Sequence, residues 1–363
     1  MRKAALLAGL AAACLLGGCT AMAQTAAPAV AAAPVAAAEE DLTVLPVPSD
    51  AYTPARTAWG EPDFRGGWPI DHLNGRTPLQ RAPEHGNRQL LTAEEYAARA
   101  ETVAALEQRY QNEDSTGTMG IGHWAEVAAA NRRTSWITSP ANGQLPAFTP
   151  EGQRLSDAMR STWAQGQQFN TWLDFDSWDR CISRGLPASM FPFMYNNGMR
   201  IFQSPGLVAI QMEMVHETRI IYTDGRAGVP RQIAQWLGES RGRWEDANTL
   251  LVETTNFLPG ASATNIGTTG SPRENDSPIS NQAKLTERFH MISADEIIYE
   301  FTWEDPVVYT QAWSARLEWQ RDEAFEIYEY ACHEGNVQIR NYINASRAQQ
   351  AAAAAEAPAG GAQ

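Results

Sequence analysis

Glu213, His216 and Arg219 interrupt an otherwise apolar, strand-forming stretch, GLVAIQMEMVHETRIIY, in this 363-residue chain. In a regular strand Glu213 and Arg219 share a face and His216 points the other way. A bulge at Met214-Val215 would bring Glu213 and His216 onto one face. There the acid orients a histidine general base, and a nearby arginine stabilises an anion. The same residues also read as a Glu–Arg ion pair holding barrel strands, plus a hydrogen-bonded histidine. Both readings demand partners, because each buried polar group left unpaired costs about 1–3 kcal/mol.

Three further groups carry chemistry. Arg241, Arg243 and Trp244 sit in SRGRWE. They read as a carboxylate or phosphate subsite with an aromatic wall, or as a surface turn. Glu253, Thr255 and Asn256 end an alternating run, with Glu253 and Thr255 on one face. That face points either into a barrel or out to solvent. His333 and Glu334 follow Cys332 at the end of another such run, as ligand contacts or as a cap beside a disulfide. The six histidines show no HxH or HxxxH spacing, so no metal site and no cofactor is expected. There is no G-x-S-x-G, P-loop or dinucleotide fingerprint.

Strands must position these residues. From Met199 onward, short alternating runs are separated by turn signals such as Asp224-Gly225, Asp246-Ala247-Asn248, Ser293-Ala294-Asp295 and Arg321-Asp322-Glu323. The spacing predicts seven or eight strands in an antiparallel meander, which closes to remove its exposed edges. The last of these strands is FEIYEYACHE. Gly66-Gly67-Trp68 matches the G-x-W pattern at the first strand of lipocalin-like barrels. The fold expected is mainly β: an antiparallel calycin-like (lipocalin-like) β-barrel with a helical and irregular insertion over about 73–197. In that insertion Thr92 and Glu95 form a capping box, and Thr149-Pro150 starts a second helix running to about Trp163. Twelve tryptophans supply core packing and flat walls for a pocket.

Composition places the protein outside the cytoplasm. Arg2, Lys3 and an apolar run to Leu16 read as a signal peptide over 1–23. Leu16-Gly17-Gly18-Cys19 offers a lipobox that would lipidate Cys19, and Ala21-Met22-Ala23 a competing cleavage site before Gln24. An Ala/Pro-rich tether follows over 24–58, then a single domain over 59–346 and a disordered Ala-rich tail over 347–363. Only Cys181 and Cys332 remain in the folded part, and in an oxidising compartment such a pair is most simply a disulfide. A formal charge of −14 makes nucleic acid an unsuitable partner.

RCISRGLP, Tyr195-Asn196-Asn197, EMVHETRII, WLGESRGRWE, LLVETTNF, ERF, EDP and YEYACHEGN occur in that order. Together they resemble a family of exported bacterial proteins without an assigned activity, over about 60–346. The family usually has WEGDTL where this chain is one residue longer between Trp244 and Leu250, which alters a hairpin turn. The resemblance implies export and supplies no catalytic residue. The function expected is binding of an aromatic, lipid-like or sugar-like small molecule in a polar-lined pocket, in the periplasm or at the outer membrane. The alternatives are a cofactor-independent lyase, isomerase or hydrolase using His216 as acid and base, or an envelope structural protein.

Overall fold

In EIIYEFTWE and WSARLEWQ apolar residues recur at every second position, and in KLTERFHMIS Glu287 alone interrupts the inward series of Leu285, Phe289 and Met291, so one face of each strand can be buried along its length. A computed structural model describes residues 40–118, 120–123, 125–162, 166–259, 262–263 and 277–356. Its strands are β1 (Gly66–Gly67), β2 (Ile137–Ser139), β3 (Met199–Ser204), β4 (Leu207–Met212), β5 (Thr218–Tyr222), β6 (Glu239–Trp244) and β7 (Thr249–Thr255). They continue with β8 (Ser262–Ala263), β9 (Ser277–Pro278), β10 (Lys284–Ser293), β11 (Glu296–Glu304) and β12 (Trp313–Gln320). Ten of them form one sheet in the order β1-β3-β4-β5-β6-β7-β10-β11-β12-β2, while β8 and β9 pair separately. The sheet curls into a half-barrel, so the chain is mainly β as expected.

Two features depart from a simple antiparallel meander. First, β5 and β6 are parallel, with Ile221 opposite Ser240 and Tyr222 opposite Arg241. The Asp224-Gly225 turn does not close a hairpin. Segment 223–238 leaves the sheet and re-enters in the same direction, as any parallel connection must. Second, FEIYEYACHE is not a strand. After β12 the chain meets β1 instead, where Asp322 N–H donates to the Gly67 carbonyl (3.1 Å). Beyond that it runs as an irregular strap over 321–337. Phe325 and Ile327 of the strap crowd Gly198, where an added Cβ would lie 2.8 and 3.0 Å from their side chains.

The concave face is filled. Trp68, Trp136, Trp313 and Trp319 are fully buried, with Tyr299, Phe289 and Phe301 among them. Phe289, Tyr299, Phe301, Trp313 and Trp319 form a chain of ring contacts with centroids 4.9–5.8 Å apart. Burial of each such ring stabilises the fold by roughly 1.5–3 kcal/mol.

Among the described residues, two of the three α-helices lie in the predicted insertion. α1 (Ala93–Thr116) begins at the expected capping box: Glu95 N–H donates to Thr92 Oγ1 (3.2 Å) and Thr92 N–H to Glu95 Oε2 (2.8 Å). α2 (Pro150–Ala158) starts at Thr149-Pro150 but stops five residues short of Trp163, at an extended Met159. It stops because Ser161 and Thr162 are engaged elsewhere, donating to Asp176 (2.8 Å) and Asp179 (2.6 Å). α3 (Gln338–Glu356) is helical well into the Ala-rich stretch expected to be disordered. Alanine is the strongest helix former, and Ser346 fixes the helix to the body by accepting from Phe169 N–H (2.9 Å). No described helix is long and apolar enough to cross a membrane. The leader with Cys19, most of the tether and residues 357–363 lie outside the described residues.

Candidate functional site

The structure does not bring Glu213, His216 and Arg219 together, because strand β4 ends at Met212 and a tight turn that contains His216 separates Glu213 from Arg219. Met214–His216 is a single 3-10 turn with Val215 and His216 both at positive φ (59° and 46°). Glu213 is buried beneath it. Its carboxylate accepts from Asn196 Nδ2 (3.0 Å), Gly198 N–H (3.0 Å) and Tyr328 N–H (3.1 Å). It is a staple between the start of β3, the end of β4 and the strap. His216 is exposed, and its Nδ1 is 2.8 Å from the Tyr330 carbonyl.

Arg219 lies inside the half-barrel. Its guanidinium forms a two-pronged pair with Glu287 and donates to Ser240 Oγ (3.0 Å) and Thr254 Oγ1 (2.7 Å). Tyr299 Oη donates to the same carboxylate (2.8 Å). Burial and the Glu287 charge hold the Tyr299 hydroxyl well above its usual range. These groups satisfy one another, which makes the cluster a structural network.

The other predicted residues also separate. Alternation along β7 points Thr254 inward and Glu253 outward, where Glu253 pairs with Lys284 (2.5 Å) and Arg243 (3.7 Å). Glu253 and Thr255 thus lie on the solvated face. Trp244 turns inward against Phe64 (5.2 Å), while Arg243 is exposed and Arg241 lies over the Tyr222 ring (4.9 Å). Asn256, at positive φ, donates from Nδ2 to the carbonyls of Val229 (3.2 Å), Pro230 (3.1 Å) and Ile233 (3.4 Å). It ties down the crossover. His333 and Glu334 are exposed on the turn after Cys332.

That turn borders a different site. Cys181 and Cys332 are disulfide-bonded, with Cα atoms 5.7 Å apart. The bond draws the strap against the segment before β3 and leaves a cleft of about 700 Å3 between them. Trp178, Tyr195, Tyr330 and Tyr342 supply its aromatic surface, and Asp179, Glu329, Asn196 and Asn336 its polar edge. Behind it Trp178, Phe193, Met214 and Val215 form a small second core. Asn336 Nδ2 donates to Cys181 Sγ (3.3 Å). Thr162 holds Asp179 through its N–H (2.9 Å) and hydroxyl (2.6 Å).

The Tyr-Asn-Asn motif explains one wall. Asn196 sits at positive φ (55°). Its N–H donates to Glu126 (2.7 Å), while Nδ2 of Asn197 bridges Glu126 (2.5 Å) and the Phe193 carbonyl (2.7 Å). Burial raises the Glu126 carboxyl above its usual range, against these hydrogen bonds.

Unusual charges lie behind the cleft. Arg184 is fully buried, 5.6 Å over the Trp178 ring and 5.1 Å over Phe193, and burial pulls its guanidinium down to about 10. Burial pushes the Glu217 carboxyl up to about 7, although Ser183 and Ser189 hydrogen-bond to it and Arg184 attracts it. Asp176 is pushed up to about 6 by burial and then by Asp179. A carboxyl whose pKa rises on folding binds protons more tightly in the folded state. Its contribution to stability is present below the unfolded value and is lost as pH rises through the folded one. Unfolding free energy is therefore expected to fall between about pH 4.5 and 7, with the upper part of the decline due to Glu217. Urea denaturation across this range should show that part flattened in Glu217→Gln. An unchanged slope above pH 6 in the variant would refute the assignment.

Tyr195, Tyr330, Asp179, Arg184 and Glu217 are absent from the residues that spacing alone singles out. A signal for them exists. Once Cys181 pairs with Cys332, their neighbours Asp179, Arg184 and Tyr330 must be neighbours in space. No family model, curated protein or solved structure matches this chain.

Proposed function

We propose that this is an exported cell-envelope protein that binds a small sugar-like molecule in the cleft beside the Cys181–Cys332 disulfide. The observation that carries this reading is the mixture of surfaces in one cavity: Trp178, Tyr195 and Tyr330 rings beside Asp179, Glu329, Asn196 and Asn336. Sugar rings stack their C–H faces on aromatic side chains and direct their hydroxyls to carboxylates and amides. A volume of about 700 Å3 falls within the ~300–1,000 Å3 of small-molecule sites. The leader and the lipobox at Cys19 support delivery to the periplasm or the outer membrane, and mass spectrometry of the mature N-terminus distinguishes a lipidated Cys19 from a chain starting at Gln24. The half-barrel is read as calycin-like. Gly66-Gly67-Trp68 at the first strand supports this, with the Arg321 guanidinium 4.3 Å over the Trp68 ring where the chain leaving β12 reaches β1. The acid–base reading of His216 is not carried forward, since the carboxylate of Glu213 and the guanidinium of Arg219 are engaged elsewhere.

The test is a tryptophan-fluorescence titration with mono- and disaccharides. A saturable change is expected for the wild type, with affinity roughly tenfold weaker in Tyr330→Ala, the scale of one lost stacking partner. No saturable response to any sugar, or equal affinity in the variant, would remove the sugar reading.

A further inference from the structure

The cleft beside the disulfide carries charge of one sign. Among the described residues that line it, Asp179 and Glu329 are acidic, and no lysine, arginine or histidine joins them. Arg180 and Arg184 follow Asp179 in sequence, but neither lines the cleft. The Arg180 guanidinium stacks against Trp172 (5.4 Å) and Trp236 (5.6 Å), and its Nε donates to the Asp176 carbonyl (3.1 Å). Arg184 is buried over the Trp178 and Phe193 rings, where Glu217 counters its charge.

Donors on the polar edge are turned to the protein rather than offered to a ligand. Asn196 Nδ2 donates to Glu213 (3.0 Å) and Asn336 Nδ2 to Cys181 Sγ (3.3 Å). Thr162 gives both its N–H and its hydroxyl to Asp179 (2.9 and 2.6 Å). Acceptor capacity is what this leaves. A carboxylate accepts at about four lone-pair sites, so Thr162 fills only part of Asp179, and Glu329 stands exposed at the rim.

A protonated amine complements such a lining. It brings three N–H donors and no acceptor, as a lysine ammonium does. It gains charge-assisted hydrogen bonds from carboxylates and is attracted to the faces of tryptophan and tyrosine rings. Trp178, Tyr195, Tyr330 and Tyr342 supply those rings. The formal charge of −14 draws cations toward the protein as a whole. A neutral sugar uses the rings without the charge, and an acidic sugar is repelled.

We infer that the sugar taken by this cleft is a hexosamine with a free, protonated amine. The ammonium meets Asp179 and Glu329, and the C–H face of the ring stacks on the aromatic wall. The inference rests on the sugar reading of the same cleft and adds the charge of the ligand.

Tryptophan-fluorescence titration of the disulfide-intact protein tests it with sugars paired by one group: glucosamine with glucose, and galactosamine with galactose. At low salt and a pH where the amine is protonated, an amino sugar is expected to bind about tenfold or more tightly than its neutral partner, the scale of one charge-assisted hydrogen bond. N-acetylglucosamine keeps the nitrogen without the charge and should lose the gain. Glu329→Gln changes an exposed side chain and should bring the ratio of the paired affinities toward one. Glu253→Gln removes the same charge from the solvated face of β7 and should leave that ratio as in the wild type. The inference is overturned if neither amino sugar binds more tightly than its partner, or if N-acetylglucosamine matches glucosamine. It is equally overturned if Glu329→Gln keeps the wild-type ratio, or if Glu253→Gln lowers it as much. Saturable binding of glucose or galactose with no gain from the amine would overturn the inference and leave the sugar reading standing. Absence of a saturable response to any sugar would remove both.

Discussion

Arg219→Met is expected to lower the unfolding free energy by about 3–5 kcal/mol, the cost of leaving one member of a buried ion pair without its partner. The side chains of Arg219 and Glu287 are 1% and 0% exposed, so water cannot replace the lost charge. Among the described residues Glu287 would keep only the Tyr299 hydroxyl, and Ser240 and Thr254 would lose their shared donor. The double variant Arg219→Met, Glu287→Met should recover much of the loss, because a well-packed apolar pair of similar volume often equals a buried ion pair in stability. Urea denaturation of the four proteins gives the comparison. A loss under about 1 kcal/mol in Arg219→Met is the value of an exposed pair and would contradict the buried network. A functional role for Arg219 predicts the opposite pattern, with binding lost and stability kept.

Breaking the disulfide should have the other large effect. Cys181 and Cys332 are 151 residues apart in sequence. Closing a loop of that size stabilises the folded state by about 4–5 kcal/mol in the chain-entropy description. Cys181→Ser, Cys332→Ser should lose a comparable amount in chemical denaturation, and reductant should reproduce the loss in the wild type alone. Alkylation and intact mass give the thiol count directly. A second consequence is local. The strap is held by the disulfide, the Glu213 staple and the His216–Tyr330 bond, and its residues Glu329, Tyr330 and Asn336 form one wall of the cleft. The sugar binding proposed for this cleft should weaken on reduction under conditions where circular dichroism still reports a folded sheet. Unchanged stability after reduction would mean that the bond adds nothing to the fold.

The sequence motifs acquire physical roles in this geometry. Tyr195-Asn196-Asn197 anchors Glu126 and Glu213 around the start of β3. RCISRGLP contributes one half of the disulfide and the buried Arg184, and YEYACHEGN contributes the other half and the cleft's outer wall. The acid of EDP, Asp305, accepts from Ser280 N–H (2.8 Å) and hydroxyl (2.7 Å).

Local chemistry was legible where it is decided locally. Alternation in EIIYEFTWE and WSARLEWQ identifies strands because period two is a property of the segment itself. The capping box at Thr92 and the Thr149-Pro150 start follow from the four unpaired N–H groups that any helix leaves at its N-terminus. Cys181 and Cys332, the two cysteines beyond the leader region, are most simply joined to each other, and they are. The site was not legible in this way. Glu213, His216 and Arg219 are close in sequence, but one tight turn with Val215 and His216 at positive φ sends them to a staple, the surface and the core. FEIYEYACHE has the alternation of a strand, yet whether it pairs depends on a partner edge, and the strap instead lies against Gly198 and Glu213. The parallel entry of β6 depends on where a crossover returns, which no turn dipeptide records. Pairing of Arg219 with Glu287, of Asn256 with the crossover, and of Trp178 with Tyr330 across one cleft are contacts between distant segments. Side-chain identity determines what such groups require, and only the packed fold determines which neighbour meets the requirement.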